Sequence, residues 1–202
     1  MNYWKNKTVM VTGSEGFIGK WLCKELIKRE SNLIPITKQT DFVTLTAFLK
    51  LYEPHIIFHL GAQSQVGKAI KNPGETFSKN IQGTWDILEA ARLTNVKRII
   101  IASTDKAYGE GLFKKETDVL NAIHPYDVSK LTADKLAHTY LKSYKMNIAI
   151  TRCANVFGKG DTNYDRLIPD TILKVQQNIQ PILRSDGKSE RDWLYIKDCI
   201  NA

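Results

Sequence analysis

The sequence predicts an α/β protein built on a doubly wound parallel sheet. Three observations carry that expectation: five apolar runs of strand length, helical stretches between them, and "TGSEGFIG" where the first strand gives way to the first helix. Strands covered on both faces read as nearly continuous apolar runs, and these do. They are "TVMVT" (8 to 12), "NLIPIT" (32 to 37), "HIIFHL" (55 to 60), "RIIIAS" (98 to 103) and "NIAITR" (147 to 152). Helices are expected near 17 to 30, 41 to 52, 76 to 94 and 127 to 145. In the first of them Phe17, Trp21, Leu22 and Leu26 recur at helical spacing, so one face can lie on the sheet. After Arg152 the rhythm changes to a polar, glycine-containing loop, a helix near 165 to 178, a short apolar "PIL" and "RDWLYIKD". Residues 1–155 are expected to form the first domain, and 156–202 to begin a second lobe that is incomplete.

With 202 residues, 43% of them apolar, the chain can bury a sizeable core. No stretch of 18 or more apolar residues occurs, and "MNYWKNKTVMVTG" runs into a core strand where a signal peptide would need its apolar region and cleavage site. The expectation is a soluble cytoplasmic protein with no membrane partner. Cys23, Cys153 and Cys199 are far apart, odd in number and without metal-ligand spacing, as ordinary buried thiols in a reducing compartment would be. The formal charge of +8 would suit a polyanion, yet the lysines are scattered and no basic stripe interleaves with aromatics. Nucleic acid is therefore not expected as a partner, while a small anionic ligand such as a nucleotide gains from the same field.

"TVMVTGSEGFIGKWL" sets Gly13, Gly16 and Gly19 at three-residue intervals between strand and helix. Gly13 makes the tight turn, Gly16 admits a pyrophosphate to the backbone, and Gly19 lets the helix approach the sheet. The helix N-terminus then offers free N–H groups and partial positive charge to phosphates. The arrangement predicts binding of a dinucleotide, NAD or NADP. The acidic residue that usually reads the ribose 2′-hydroxyl is missing after the second strand; Lys38 stands there, either tilting the choice toward a 2′-phosphate or lying solvated. Asp41 and Phe42 follow and can approach the adenine.

"ASTDKAYG" places hydroxyls, a carboxylate and an ammonium together at a strand's end, and "HPYDVSKL" places Tyr126 and Lys130 on one face of a helix start. A tyrosine with pKa about 10 is a poor base at neutral pH, and bringing it to about 7 takes roughly 4 kcal/mol. A neighbouring ammonium in a desolvated pocket can supply that. Ser103 reads as a strand-end hydroxyl capping backbone groups, His59 as a satisfied core residue and His124 as a loop residue before Pro125.

Together "TGSEGFIG", "HLGAQSQV", "NIQGTWDILEAAR", "ASTDKAYG", "HPYDVSK", "TRCANVFGKGD", "DRLIPD" and "RDWLYIKD" resemble, in order, the blocks of the extended short-chain dehydrogenase/reductase family, particularly its nucleotide-sugar 4,6-dehydratases. The resemblance implies a Rossmann sheet, and, since members are longer, a chain lacking most of the substrate lobe. It implies cofactor contacts at Gly13, Gly16, Phe17, Ile18, Gly19, Leu60, Ala62, Tyr126 and Lys130, and nucleotide-sugar contacts at Gln63, Asn155 and Arg191. Thr104 would bind the sugar's 4-hydroxyl, Tyr126 take its proton and Lys130 hold Tyr126 and the nicotinamide ribose. Asp105 and Lys106 look like those of the CDP-glucose 4,6-dehydratases and also of the inverting UDP-N-acetylglucosamine dehydratases: Asp105 as acid to the leaving water, Lys106 as base at C5 or, instead, as an ion-pair or phosphate partner. Asn80 resembles the family's helix asparagine, which orders neighbouring backbone. Arg191 meets phosphate or pairs with Asp192. A 4-epimerase or reductase, and a non-catalytic dinucleotide module, remain the alternatives. Members often form homodimers through two long helices, here those near 76 to 94 and 127 to 145.

Overall fold

A computed structural model describes residues 2–111, 113–183 and 185–202. The chain divides into two compact units, Met1–Arg152 and Cys153–Ala202.

The first unit is a five-stranded parallel sheet in the order β2-β1-β3-β4-β5, with β1 Thr8–Thr12, β2 Asn32–Ile36, β3 Ile56–His59, β4 Arg98–Ala102 and β5 Ile148–Thr151. Each strand lies within a residue or so of its apolar run. Helices α1 (Phe17–Lys28), α2 (Phe42–Tyr52), α5 (Gly83–Leu93) and α6 (Pro125–Ser143) make the crossovers. Met10, Ile57, Ile99 and Ile101 of the sheet meet Leu45 and Leu49 of α2, Ile87 and Leu88 of α5 and Ala137 of α6 in one core cluster. Burying a side chain of this size is worth roughly 1.5–3 kcal/mol each. On α1, Leu22 and Leu26 are buried while Phe17 and Trp21 are half-buried.

The stretch expected as one helix from 76 to 94 is continuously helical to Leu93, with right-handed helical backbone at each junction, but its winding changes along the way. Helices α3 (Val66–Lys71) and α4 (Pro73–Phe77) lead into a π-helical segment, Ser78–Gln82, and only then α5. The extra residue of a π-turn marks a side chain whose bonds override the regular ladder. Here that residue is Asn80.

In the second unit, β6 (Asn155–Phe157) pairs in parallel with β7 (Trp193–Tyr195), joined by α7 (Leu167–Gln176), and α8 (Ile196–Asn201) follows. Neither three-residue strand was expected. Phe157 packs its ring against Trp193 and Tyr195. The cysteines are half-buried, not buried, and the Cys199 thiol is raised by its hydrogen bond with Cys153 and by burial. Among the described residues, no helix is long and apolar enough to cross a membrane.

Candidate active site

The strand order reverses between β1 and β3, since β2 lies on one side of β1 and β3 on the other. In open α/β sheets ligands bind outside the carboxyl ends of the strands at such a switch point. The segments after β1, β3 and β4 all emerge at that edge. They are the glycine loop, Leu60 to Gln63, and Ser103 to Tyr108.

Gly13 has φ +67°, and a Cβ there would stand 2.8 Å from the Cα of Gly61. The loops after β1 and β3 therefore touch backbone to backbone. A Cβ on Gly19 would run into the carbonyl of Gly13. Gly16 is the N-cap of α1 and supplies no side-chain cap, so the N–H groups beside Phe17 and Ile18 stay available. Ser14 Oγ is buried with no hydrogen-bond partner. A cradle that any side chain would fill, a bare helix N-terminus and an unpaired buried hydroxyl together fit the pyrophosphate of a dinucleotide.

Lys38 is exposed beyond β2, and Leu60 is half-buried and Ala62 exposed after β3. Asp41 and Phe42, expected near the adenine, also have structural partners. Asp41 Oδ1 accepts the N–H of Thr44 at 3.0 Å as N-cap of α2, and Phe42 packs on the core cluster. Gln63, expected at the sugar, is buried, and its amide bonds Thr76 Oγ1 at 3.0 Å, the Gln65 carbonyl at 3.1 Å and the Gln65 N–H.

One buried polar chain runs from the glycine loop to α6. Gly61 N–H donates to Thr12 Oγ1 at 3.1 Å, Thr12 Oγ1 meets His59 Nδ1 at 2.8 Å, and His59 Nε2 meets Thr84 Oγ1 at 3.2 Å. Thr84 gives its proton to the Asn80 carbonyl at 2.7 Å, which assigns the N–H of His59 to Nε2. Burial, with the Lys130 charge nearby, drops the His59 pKa to about 3. Asn80 accepts from Gln63 N–H at 2.7 Å and donates to the Gln63 carbonyl at 2.9 Å and to Ser129 Oγ at 2.8 Å. Ser129 in turn donates to the Tyr126 carbonyl at 2.6 Å. Asn80 thus orders backbone on both sides of it.

Tyr126 and Lys130 stand in the first turns of α6, which His124 precedes as an exposed N-cap. Lys130 is 4% exposed, and its Nζ donates to the carbonyl of Ala102 at the end of β4. Burial lowers its pKa to about 8, against the opposing pull of Asp134. Thr104 is buried and caps a 3₁₀ turn, Asp105–Tyr108; its hydroxyl donates to Asp105 Oδ1 at 3.0 Å and accepts from Lys106 N–H at 3.4 Å. That turn is held by a clamp which sequence spacing did not reveal. Arg152 grips buried Asp134 of α6 through Nε at 2.8 Å and Nη2 at 3.0 Å, and Nη1 donates to the Tyr108 hydroxyl at 2.8 Å. Ser103 Oγ, expected to cap backbone, is buried without a partner.

In the first unit, helix α6, which carries Tyr126 and Lys130, packs against the 3₁₀ turn that carries Asp105 and Lys106 and follows Thr104, at the carboxyl edge of the sheet. Asn155 and Arg191 belong to the second unit. There Asn155 Nδ2 donates to the Asp192 carbonyl at 3.4 Å, and exposed Arg191 donates from Nη1 to the Glu190 carbonyl at 2.6 Å, not to the Asp192 carboxylate.

The pattern of the NAD dependent epimerase/dehydratase family matches residues 9–202. The chain belongs to that family. The chain is 30% identical to the CDP-glucose 4,6-dehydratase of Salmonella typhimurium, over 100% of the chain and 66% of that protein. It is 34% identical to an uncharacterized UDP-glucose epimerase of Bacillus subtilis, over 96% of the chain and 70% of that protein. The chain thus spans about two thirds of the length of these relatives. Among solved structures, UDP-glucuronic acid 4-epimerase of Bacillus cereus, in complex with UDP-glucuronic acid and NAD, superposes with a TM-score of 0.86 at 26% identity, covering 96% of the chain and 70% of that one.

Proposed function

We propose that the protein is a nucleotide-sugar 4,6-dehydratase that converts an NDP-hexose, with CDP-glucose the leading substrate, to the NDP-4-keto-6-deoxyhexose. The observation that carries this reading is the 3₁₀ turn Asp105–Tyr108, in which the Asp105 carboxylate accepts the Thr104 hydroxyl and Lys106 is the next residue. A 4-epimerase or reductase needs only Thr104 or Ser103, Tyr126 and Lys130, and leaves such a pair without work.

The glycine cradle holds the cofactor, taken as NAD from the family's description. Lys38, exposed past β2, makes NADP the alternative to compare. Held there by Gly13, Gly16 and Gly19, the cofactor would supply the hydride acceptor for C4 oxidation and the hydride donor for C6. Thr104 orients the 4-hydroxyl, and Tyr126 as phenolate takes its proton. The buried ammonium of Lys130, anchored on the Ala102 carbonyl, favours that phenolate. The ketone at C4 makes the C5 proton acidic. Lys106, neutral when working, removes it as base, and Asp105 as acid protonates the departing C6 hydroxyl. Asn155 and Arg191 contact the nucleotide diphosphate, for which the planar donor fork of arginine is suited.

The relative at 34% identity supports the second reading, a UDP-sugar 4-epimerase. Incubation of the NAD-loaded protein with CDP-glucose, dTDP-glucose, GDP-mannose and UDP-N-acetylglucosamine, followed by mass analysis, separates the two. Loss of water from one of them is the expected result. An unchanged mass with inverted configuration at C4 assigns the epimerase.

A further inference from the structure

His59 closes β3 on the same face as Ile57, which belongs to the apolar core. An apolar side chain there would spare the cost of burying an imidazole. His59 is nevertheless 5% exposed, with one hydrogen bond on each ring nitrogen. Toward the glycine loop, Nδ1 accepts the Thr12 hydroxyl at 2.8 Å, and Thr12 Oγ1 accepts Gly61 N–H at 3.1 Å. A Cβ on Gly13 would stand 2.8 Å from the Gly61 Cα, so the place of Gly61 sets the width of the dinucleotide cradle. Toward α5, Nε2–H donates to Thr84 Oγ1 at 3.2 Å, and Thr84 donates to the Asn80 carbonyl at 2.7 Å. Asn80 is the centre of the π-helical segment; its side chain donates to Ser129, which holds the Tyr126 carbonyl at 2.6 Å. Thr12, Thr84, Asn80 and Ser129 are at most 7% exposed, so solvent does not make good a missing member. The order of donors and acceptors requires a neutral imidazole with its proton on Nε2, and burial keeps it neutral.

We propose that His59 is a positioning residue for the oxidation at C4, fixing Gly61 at the cofactor loop through Nδ1 and the turn that carries Tyr126 through Nε2; this rests on the reading of Tyr126 and Lys130 as the oxidising pair. Hydride transfer needs the dinucleotide and the phenol in register, yet the glycine loops follow β1 and β3 while Tyr126 comes from α6. A misplacement of about 1 Å can cost on the order of 100-fold in rate. His59 answers that need without touching a ligand, because one ring spans from the loop side to the helix side of the chain of bonds. Its two ends differ in chemistry, an acceptor toward Thr12 and a donor toward Thr84, so each can be cut while the other is kept.

The test uses two replacements in the full chain. In His59→Asn the side-chain oxygen takes the place of Nδ1 and still accepts from Thr12, while the bond to Thr84 is lost. In His59→Gln the side-chain N–H takes the place of Nε2–H and still donates to Thr84, while Thr12 loses its acceptor. NAD affinity is measured by calorimetry, and kcat at saturating NAD with the sugar nucleotide that is turned over, CDP-glucose first. For His59→Asn, affinity is expected within about 2-fold of the parent and kcat lower by about 10-fold or more. For His59→Gln, affinity should fall about 5–10-fold with kcat within a few-fold. The property kept in each variant also reports that it is folded. Nitrogen NMR of the parent imidazole should show Nε2 protonated and Nδ1 bare at neutral pH. Equal losses of affinity and kcat in the two variants, no change in either, or a proton on Nδ1 overturns the proposal. Failure of the reading beneath it looks different: the unsubstituted protein then turns over none of the sugar nucleotides, and the Tyr126 end falls with it, while calorimetry still decides the Thr12 end.

Discussion

Lys130 couples the site to pH. Its ordinary pKa of 10.5 holds in the unfolded chain, whereas burial brings the folded value to about 8. Between those values the unfolded state keeps a proton that the native state has lost, so stability contributed through Lys130 rises with pH across this window. At neutral pH the ammonium is retained at a cost of about 3 kcal/mol, which is what makes it available to a phenolate. Urea unfolding at a series of pH values should show this rise in the parent protein and lose it in Lys130→Met, with turnover abolished; an identical slope in both removes Lys130 as its source. Ser14 makes the opposite kind of prediction. Its hydroxyl is buried and unpaired, so Ser14→Ala should leave stability unchanged or slightly raised. If that hydroxyl serves the phosphates, NAD affinity measured by calorimetry drops about 5–30-fold, corresponding to roughly 1–2 kcal/mol. Thr104, Tyr126 and Lys130 were legible from sequence because strand end and helix turn fix their positions locally. The bond of Gln63 to Thr76 and the packing of Phe42 on the core were not, since those partners arrive from elsewhere in the chain, whereas the Asp41 cap on Thr44 is local.

Individual elements are anchored by polar side chains the hydrophobic pattern does not report. The apolar spacing from 76 to 94 is that of a single helix, yet Asn80 bonds Gln63 on one side and Ser129 on the other, and the backbone takes a π-turn to let it. Asn80→Ala leaves the N–H and carbonyl of buried Gln63 unpaired, at about 1–3 kcal/mol for each group. The expected outcome is a loss of several kcal/mol in denaturant unfolding, with kcat falling more than KM as the Tyr126 turn loosens. Arg152 does the corresponding work for the 3₁₀ turn. Asp134 is 1% exposed, so Arg152→Met strands a buried carboxylate and should cost about 3–5 kcal/mol. Paired replacement of Asp134 and Arg152 by apolar residues should recover much of that loss; full persistence of it in the double variant would show that the charge pair is not the cause. Strands β1 to β5 were legible because each is a four- or five-residue apolar run. Strands β6 and β7, three residues each, are too short for any alternation to register.

For the molecule as a whole, the division at Arg152 sorts function as well as contacts. The core cluster with the residues packed on it runs from Met10 to Ile150, so the first unit closes its core without a residue of the second. The glycine cradle, the polar chain through His59 and Asn80, and the set from Thr104 to Lys130 lie in it too. The rhythm of the sequence changes at the same place, after Arg152, with residues 1–155 expected as the first domain. A chain of residues 1–152 should therefore fold cooperatively and keep the dinucleotide site. Ligand linkage sets the size of the effect: at a free NAD concentration 100 times Kd, the folded state gains about 2.7 kcal/mol. For a domain of this length each kcal/mol moves the midpoint by roughly 2–4 °C, so NAD should raise Tm by about 5–10 °C. The same shift should shrink in the 1–152 chain carrying Ser14→Ala. A 1–152 chain that unfolds cooperatively yet shows no response to saturating NAD or NADP would mean that the cradle between β1 and α1 is a tight turn and not a phosphate site.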